Sequence, residues 1–259
     1  MERKVFVITG SSGIAASTIR KLVEGDARVY FVGVDQESCI SLFSELSSTD
    51  RIAYQLGDVT AEDVCEQVVA ACKARFGRLD GLFNVAGISG RKYGDGPLHE
   101  STSEGWQKTI HINLDSQYAM SRAVIRELLQ NERNAYGQRG VVLNMSSILG
   151  KHPNPAYFSA VAYATSKGAI ASMTRTVAAY YAAEGIRINA IAPALTETPM
   201  SGRAAADAEI QDFVRKKQAL TDGMLHPDDV ADVALFLLGD ASRVMTGQTI
   251  LTDGGWSVL

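Results

Sequence analysis

Short runs of Val, Ile, Leu and Phe alternate with longer stretches in which apolar residues recur every three or four positions, from one end of the chain to the other. The short runs predict strands over 4–9, 28–34, 51–57, 81–85, 140–146, 187–192 and 248–251. The longer stretches predict helices over 13–24, 37–46, 61–76, 104–130, 162–184 and 228–238. Runs such as Val5-Phe6-Val7-Ile8 are apolar throughout rather than at alternate positions. Such strands are buried on both faces, which predicts a parallel sheet between two layers of helices. Right-handed crossovers then favour an α/β fold with one doubly wound sheet of about seven strands and ligands at their carboxyl ends. Segments 88–103, 150–161 and 193–225 read as long loops. Each follows a strand, so all three open on the carboxyl edge, where long loops serve a site. The stretch 131–139 is polar and belongs away from that edge. No repeat, low-complexity tract or linker interrupts the pattern, and residues 1–259 read as a single domain.

Composition adds exclusions. With 46% apolar and 21% charged residues the chain can bury an ordinary core. A net charge of −4 and the lack of a basic cluster argue against a nucleic-acid partner. The short runs Arg91-Lys92 and Arg215-Lys216-Lys217 read as solvated surface. Met1-Glu2-Arg3-Lys4 leads straight into a strand, with no secretory segment. Apolar stretches such as 233–238 fall far short of the roughly 20 residues that span a bilayer, so no membrane partner is expected. Cys39, Cys65 and Cys72 lie on core stripes of helices and lack any Cys-x-x-Cys spacing. They read as buried reduced thiols of a cytoplasmic protein, with no metal site.

The first strand ends in Thr9-Gly10-Ser11-Ser12-Gly13-Ile14-Ala15-Ala16 and a helix follows. Gly10 permits a tight turn, and Gly13 lets backbone approach a pyrophosphate at a helix N-terminus that offers free N–H groups. Ala16 or Ala15 lets the helix lie close on the strand. Contacts to the pyrophosphate are assigned to Ser11, Ser12 and Ile14. The second strand ends in Asp35, about 20 residues past the loop, where a carboxylate accepts hydrogen bonds from ribose hydroxyls and repels a 2′-phosphate. The competing role for Asp35 is to cap the next helix. Loop and carboxylate together predict a Rossmann-like domain that prefers NAD over NADP.

Tyr163-Ala164-Thr165-Ser166-Lys167 puts a phenol and an ammonium on one helical face. A free tyrosine titrates near pH ~10. A nearby lysine and the positive charge of an oxidised nicotinamide would favour phenolate and lower that value. The phenol could then exchange a proton with an alcohol or ketone while hydride moves to or from nicotinamide. In this context the chain resembles the short-chain dehydrogenase/reductase family over essentially its whole length. Asn84-Val85-Ala86-Gly87 is similar to the family's segment after strand four, and Gly57-Asp58-Val59 to its adenine-contacting turn. His111-Ile112-Asn113 resembles the helix whose Asn holds a water, and Asn144-Met145-Ser146-Ser147 the serine strand. Ile191-Ala192-Pro193 and Thr198-Pro199-Met200 resemble the segment that holds the nicotinamide carboxamide, and Thr246-Gly247-Gln248 through Asp253-Gly254-Gly255 the closing strand.

The resemblance implies catalytic roles for Ser147, Tyr163, Lys167 and Asn113. It implies cofactor contacts from Asp58, Val59, Asn84, Ala86, Gly87, Tyr163, Lys167, Pro193 and Thr198. Ser147 would polarise the substrate oxygen, with Ser146 as its rival; Lys167 would bind the nicotinamide ribose. For Asn113 the rival is a structural role in bending the helix. The expected activity is reversible oxidation of a secondary alcohol or reduction of a ketone, in a homotetramer. Sugars, polyols and 3-oxoacyl compounds are among the open substrates. An NAD-binding sensor without turnover is the alternative; lyase or epimerase chemistry lacks a second domain to hold its substrate.

Three features depart from the family pattern. The glycine loop is one residue short, fifteen residues separate Ser147 from Tyr163, and Pro193-Ala194 replaces Pro-Gly. The extra residues at 151–159 read as a specificity loop. Ser89, Tyr93, Tyr157, Phe158, Leu195 and Met200 form the expected substrate wall, and no Arg or Lys pair is expected to converge on it.

Overall fold

A computed structural model describes residues 3–47 and 50–259; Met1 and Glu2 of the N-terminal reading lie outside them. Seven strands form one parallel sheet: β1 (Val5–Thr9), β2 (Arg28–Gly33), β3 (Ile52–Leu56), β4 (Gly81–Asn84), β5 (Gly140–Met145), β6 (Ile186–Pro193) and β7 (Thr249–Thr252). The helices are α1 (Gly13–Glu24), α2 (Gln36–Leu46), α3 (Glu62–Phe76), α4 (Ser103–Ile110), α5 (Ser116–Leu128), α6 (Val161–Tyr181), α7 (Gly202–Ala205), α8 (Ala208–Lys217) and α9 (Pro227–Leu238). Strand order is β3-β2-β1-β4-β5-β6-β7, every neighbouring pair parallel. The chain winds outward from β1 in both directions, so a crevice opens beyond the carboxyl ends of β1 and β4, the switch point of such sheets.

The pleat explains the unbroken apolar runs. Phe6 and Ile8 of β1 face a core shared with α1, α2 and α9, while Val5 and Val7 face one shared with α3, α5 and α6. Cys39 joins the first layer, Cys65 and Cys72 the second, all three unpaired and buried. Burial pushes the Cys65 thiol up to about 11 and the Cys72 thiol up to about 12, which makes both inert near neutral pH. Among the described residues no helix is long and apolar enough to cross a membrane.

Two stretches differ from the sequence expectation. The helix expected over 104–130 is broken by a π-helical turn at His111–Asp115. Asn113 sits in that turn with its side chain bonded to both backbone groups of Ile88, so the extra residue meets a neighbouring loop instead of the helical ladder. The loop expected over 193–225 contains α7 and α8. Asp207 caps α8 by accepting from Glu209 and Ile210 N–H, and Ile210 and Val214 bury against Trp256, Ile148 and Ala204. Residues 131–139 join α5 to β5 at the amino ends of the strands, away from the crevice, as expected. Ala194 adopts no positive φ, so the turn after Pro193 carries no left-handed strain.

Candidate active site

The three long segments close over the crevice to leave a cavity of about 850 Å³. Its floor is the glycine loop. Gly10 has φ +103° and donates to the Val32 carbonyl at 2.7 Å, which turns the chain out of β1. The helix comes so close there that a Cβ on Gly10 would lie 3.3 Å from the Ala15 Cβ; Ala15 is thus the small residue the turn needs. Gly13 opens α1 at φ +53°, and a Cβ there would meet Thr198 at 2.9 Å. Shortening the loop has preserved an open cradle at the start of a helix, with Ser11, Ser12 and Ile14 on the cavity wall.

Asp35 lies at the far end. It does cap α2, its Oδ1 accepting from Ser38 N–H at 2.8 Å, and this bond holds the carboxyl below its usual range. The side chain also lines the cavity, so capping and ribose binding are compatible. The Ser38 hydroxyl pairs with Ser11 at 2.6 Å, which links the glycine loop to the carboxylate. The sequence reading did not single out Ser38. Val59, Ala86, Gly87, Pro193 and Thr198 line the cavity.

Asp58 and Asn84 do not. The Asp58 carboxylate folds back onto Thr60 N–H and hydroxyl. Asn84 is a core residue whose amide donates to Ser121 at 2.9 Å and Asn144 at 3.0 Å, tying β4 to α5 and β5. A buried amide needs such partners, and they turn it away from the crevice.

Ser147, Tyr163 and Lys167 meet on one wall. Ser146 spends its hydroxyl on the Lys167 carbonyl at 2.8 Å, whereas Ser147 hydrogen-bonds with the phenol of Tyr163. After Ser147 a 3₁₀ turn (Ile148–Gly150) lies directly on α6: a Cβ on Gly150 would sit 2.7 Å from Gly168 N. Lys167 is 3% exposed, and its ammonium donates to the Met145 carbonyl at 2.9 Å, 5.7 Å from the Tyr163 ring centre. Asn113 is fully buried between Ile88 and the Ser166 hydroxyl. Its side chain shapes the helix break and stands against the Tyr–Lys helix through Ser166.

The sequence expectation concerned the phenol beside an oxidised nicotinamide; in the protein alone, burial sets the sign of the tyrosine shift. Burial pushes the phenol above its ordinary value, with the Ser147 hydrogen bond opposing, and burial pulls Lys167 down to about 7. A lysine whose charged form is disfavoured by burial gives the phenolate less help than an exposed ammonium would.

Asp95, also unrecognised in the sequence, fixes the helix that carries both groups. The residue before α6 is Ala160, which has no capping side chain. Asp95 supplies the cap from the loop after β4, accepting from Ala162 and Tyr163 N–H at 2.9 Å each.

The substrate end differs more. Ser89, Phe158, Leu195 and Met200 line the cavity; Tyr93 and Tyr157 do not. Tyr93 lies between the ammonium groups of Lys92 and Lys108, and Tyr157 packs its ring on Phe213 with centroids 5.2 Å apart. In their place stand Trp256, Arg91, Lys92 and Arg203. Arg91, half-buried, is thus a cavity residue and not the solvated surface expected, whereas Lys92 borders the cavity but is exposed, as expected.

This crevice, with a glycine cradle at one end and a Ser–Tyr–Lys wall at the other, belongs to a nucleotide-binding oxidoreductase of the doubly wound class. A family model described as enoyl-(acyl carrier protein) reductase matches residues 8–257, and the chain belongs to the short-chain dehydrogenase/reductase family. It is 34% identical to momilactone A synthase of Oryza sativa subsp. japonica, covering 99% of this chain and 90% of that protein. It is 32% identical to cis-4-hydroxycyclohexanecarboxylate dehydrogenase of Sinomonas cyclohexanicum, covering 99% and 97%. The structure of 3-ketoacyl-(acyl-carrier-protein) reductase from Brucella melitensis complexed with NADH superposes with a TM-score of 0.87 at 28% identity, covering 99% of each chain.

Proposed function

We propose that residues 1–259 form a single catalytic domain that reversibly oxidises a secondary alcohol, or reduces the matching ketone, with NAD(H) in preference to NADP(H). The observation that carries the reading is the convergence of Ser147, Tyr163 and Lys167 on one cavity wall opposite the Gly10–Gly13 cradle. The named activities of the relatives, dehydrogenases and reductases, support it, as does the NADH held by the Brucella enzyme.

Residues Ser11 to Ile14 would hold the pyrophosphate and Asp35 the adenosine ribose, with Pro193 and Thr198 at the carboxamide. A bound nicotinamide supplies the hydride acceptor or donor and, when oxidised, a positive charge. Ser147 donates its hydroxyl proton to the substrate oxygen and orients it. The Tyr163 phenol exchanges a proton with that oxygen. Lys167, buried beneath, holds the ribose and stabilises the phenolate whenever it is charged. Asn113 would hold the water that connects the Lys167 ammonium to solvent, a role carried over from the family resemblance. The homotetramer is proposed from the family resemblance.

Tyr163→Phe tests the assignment. Turnover should fall by about 10²–10⁴-fold, the range for a lost general acid–base, while NAD(H) affinity stays unchanged. Retained turnover would remove the proton-transfer role. Silence of the wild type on sugars, polyols, 3-oxoacyl compounds and cyclic ketones with both cofactors would favour a sensor.

A further inference from the structure

Arg91 and Arg203 reach the cavity from different walls. Arg91 opens the 3₁₀ turn after β4 and is half-buried; Arg203 belongs to α7, on the segment after β6. The Nη2 groups of both donate to one acceptor, the Tyr157 carbonyl oxygen, at 3.2 and 3.0 Å. Two cations therefore share a neutral oxygen.

Among the described residues no carboxylate lies within ion-pairing distance of either guanidinium. Asp95, whose charge Arg91 feels, has both oxygens engaged by the amides of α6. Burial and the neighbouring Arg203 both pull Arg91 below its ordinary basicity. Each guanidinium carries five donors in a planar fork and spends one on Tyr157. Around them the wall is apolar: Phe158, Leu195, Met200 and Trp256. Arg91 is half-buried, while Arg203 is exposed with its guanidinium over the Phe158 ring, so the desolvation that an anion would offset falls chiefly on Arg91.

We propose that Arg91 and Arg203 form a subsite for an anionic oxygen group of the substrate, a carboxylate or a phosphate monoester, so that the alcohol or ketone handled at Tyr163 carries such a group on an otherwise apolar frame. The proposal rests on the alcohol–ketone reading of the cavity. It also assigns the 151–159 insertion a purpose: the Tyr157 carbonyl, presented by that loop, aligns the two forks before the anion arrives, which suits the planar two-pronged geometry of arginine.

The test compares wild type, Arg91→Gln, Arg203→Gln and the double variant. The probes are levulinate and an oxocyclohexanecarboxylate, each against its methyl ester, and dihydroxyacetone phosphate against dihydroxyacetone. Glutamine can still donate to Tyr157, so a role limited to pinning the loop would change charged and neutral partners alike. The expected result is a wild-type preference in kcat/KM for the charged member of at least one pair. Each single substitution should reduce that preference by about tenfold or more, the scale of a lost charge-assisted hydrogen bond. Preference for the keto acids assigns a carboxylate, and preference for the phosphate assigns a phosphate. Equal rates on charged and neutral partners in the wild type overturn the subsite and leave the oxidoreductase reading standing. So does a rise in the KM for NADH with the charged-to-neutral ratio unchanged, which gives the arginines to the dinucleotide. Silence on every probe counts against the alcohol–ketone reading, and the subsite falls with it.

Discussion

Asp95→Ala uncaps the helix that carries Tyr163 and Lys167. The carboxylate is 5% exposed and accepts two backbone N–H groups at 2.9 Å. Hydrogen bonds to a charged group contribute about 1.5–3 kcal/mol each, and loss of an ordinary N-cap costs about 0.5–2 kcal/mol. The two figures describe the same bonds from different reference states, so they bracket the effect rather than add. We expect a loss of about 3 kcal/mol. In a chain of this size that lowers Tm by roughly 6–12 °C, taking about 2–4 °C per kcal/mol. Asp95→Asn keeps the shape and one acceptor but points an NH₂ at the second amide, so its loss should be intermediate. Urea unfolding with an unchanged slope measures both. Because Tyr163 N–H is one of the two donors, the phenol should lose its placement, and kcat should fall more than KM rises. An alanine variant within about 0.5 kcal/mol of wild type, the range of ordinary surface substitutions, would refute the reasoning.

Lys167 gives a pH signature. Its value of about 7 in the fold against 10.5 when unperturbed means that, between those values, the unfolded chain holds a proton the folded chain has released. Stability therefore rises with pH across that window, by at most about 1.4 kcal/mol per pH unit from this group. The unfolding free energy of wild type minus that of Lys167→Met should rise accordingly with pH, and a difference flat in pH would show that the ammonium is not desolvated. Asp35→Ala should narrow the gap between NAD and NADP in a thermal-shift comparison; an unchanged gap excludes the ribose contact. Arg187 is buried and donates to Leu237 O, Gly239 O and Ser242 Oγ at the end of α9 and to Gln138 Oε1, with burial lowering it to about 10. Arg187→Met strands these neutral acceptors and should cost about 1–3 kcal/mol for each one left buried without a partner, read as a fall in urea midpoint.

The elements legible in the sequence were those that local spacing encodes. The inner strands announced themselves because burial on both faces leaves an unbroken apolar run, as in Val5 to Ile8, whereas the edge strands β3 and β7 are only partly buried. The glycine loop and the Tyr163–Lys167 pair were legible because their geometry is set within one turn of chain. What escaped depends on distant contacts. Ala160 gives no sign that a cap for α6 arrives from Asp95, 67 residues before its partner Ala162. Arg91 looked like any surface cation because its charge says nothing of Arg203, which it meets only through Tyr157. Asn84 fitted the family pattern, yet its interior partners keep it in the core. The helix α8 was overlooked although Asp207 followed by Ile210, Phe213 and Val214 is a cap with an apolar stripe. Its ten residues are too few for periodicity alone to mark.

The seat of Gly150 on Gly168 has a consequence for how this chain can change over evolutionary time. Because main chain touches main chain there, no side-chain volume sets the spacing between the serine turn and the tyrosine helix. The stretch from Lys151 onward can lengthen, shorten or change its cargo of aromatic and charged groups without disturbing that seat. Substrate choice and chemical competence are thereby separable, and Gly150, which does not line the cavity, is closed to any larger side chain.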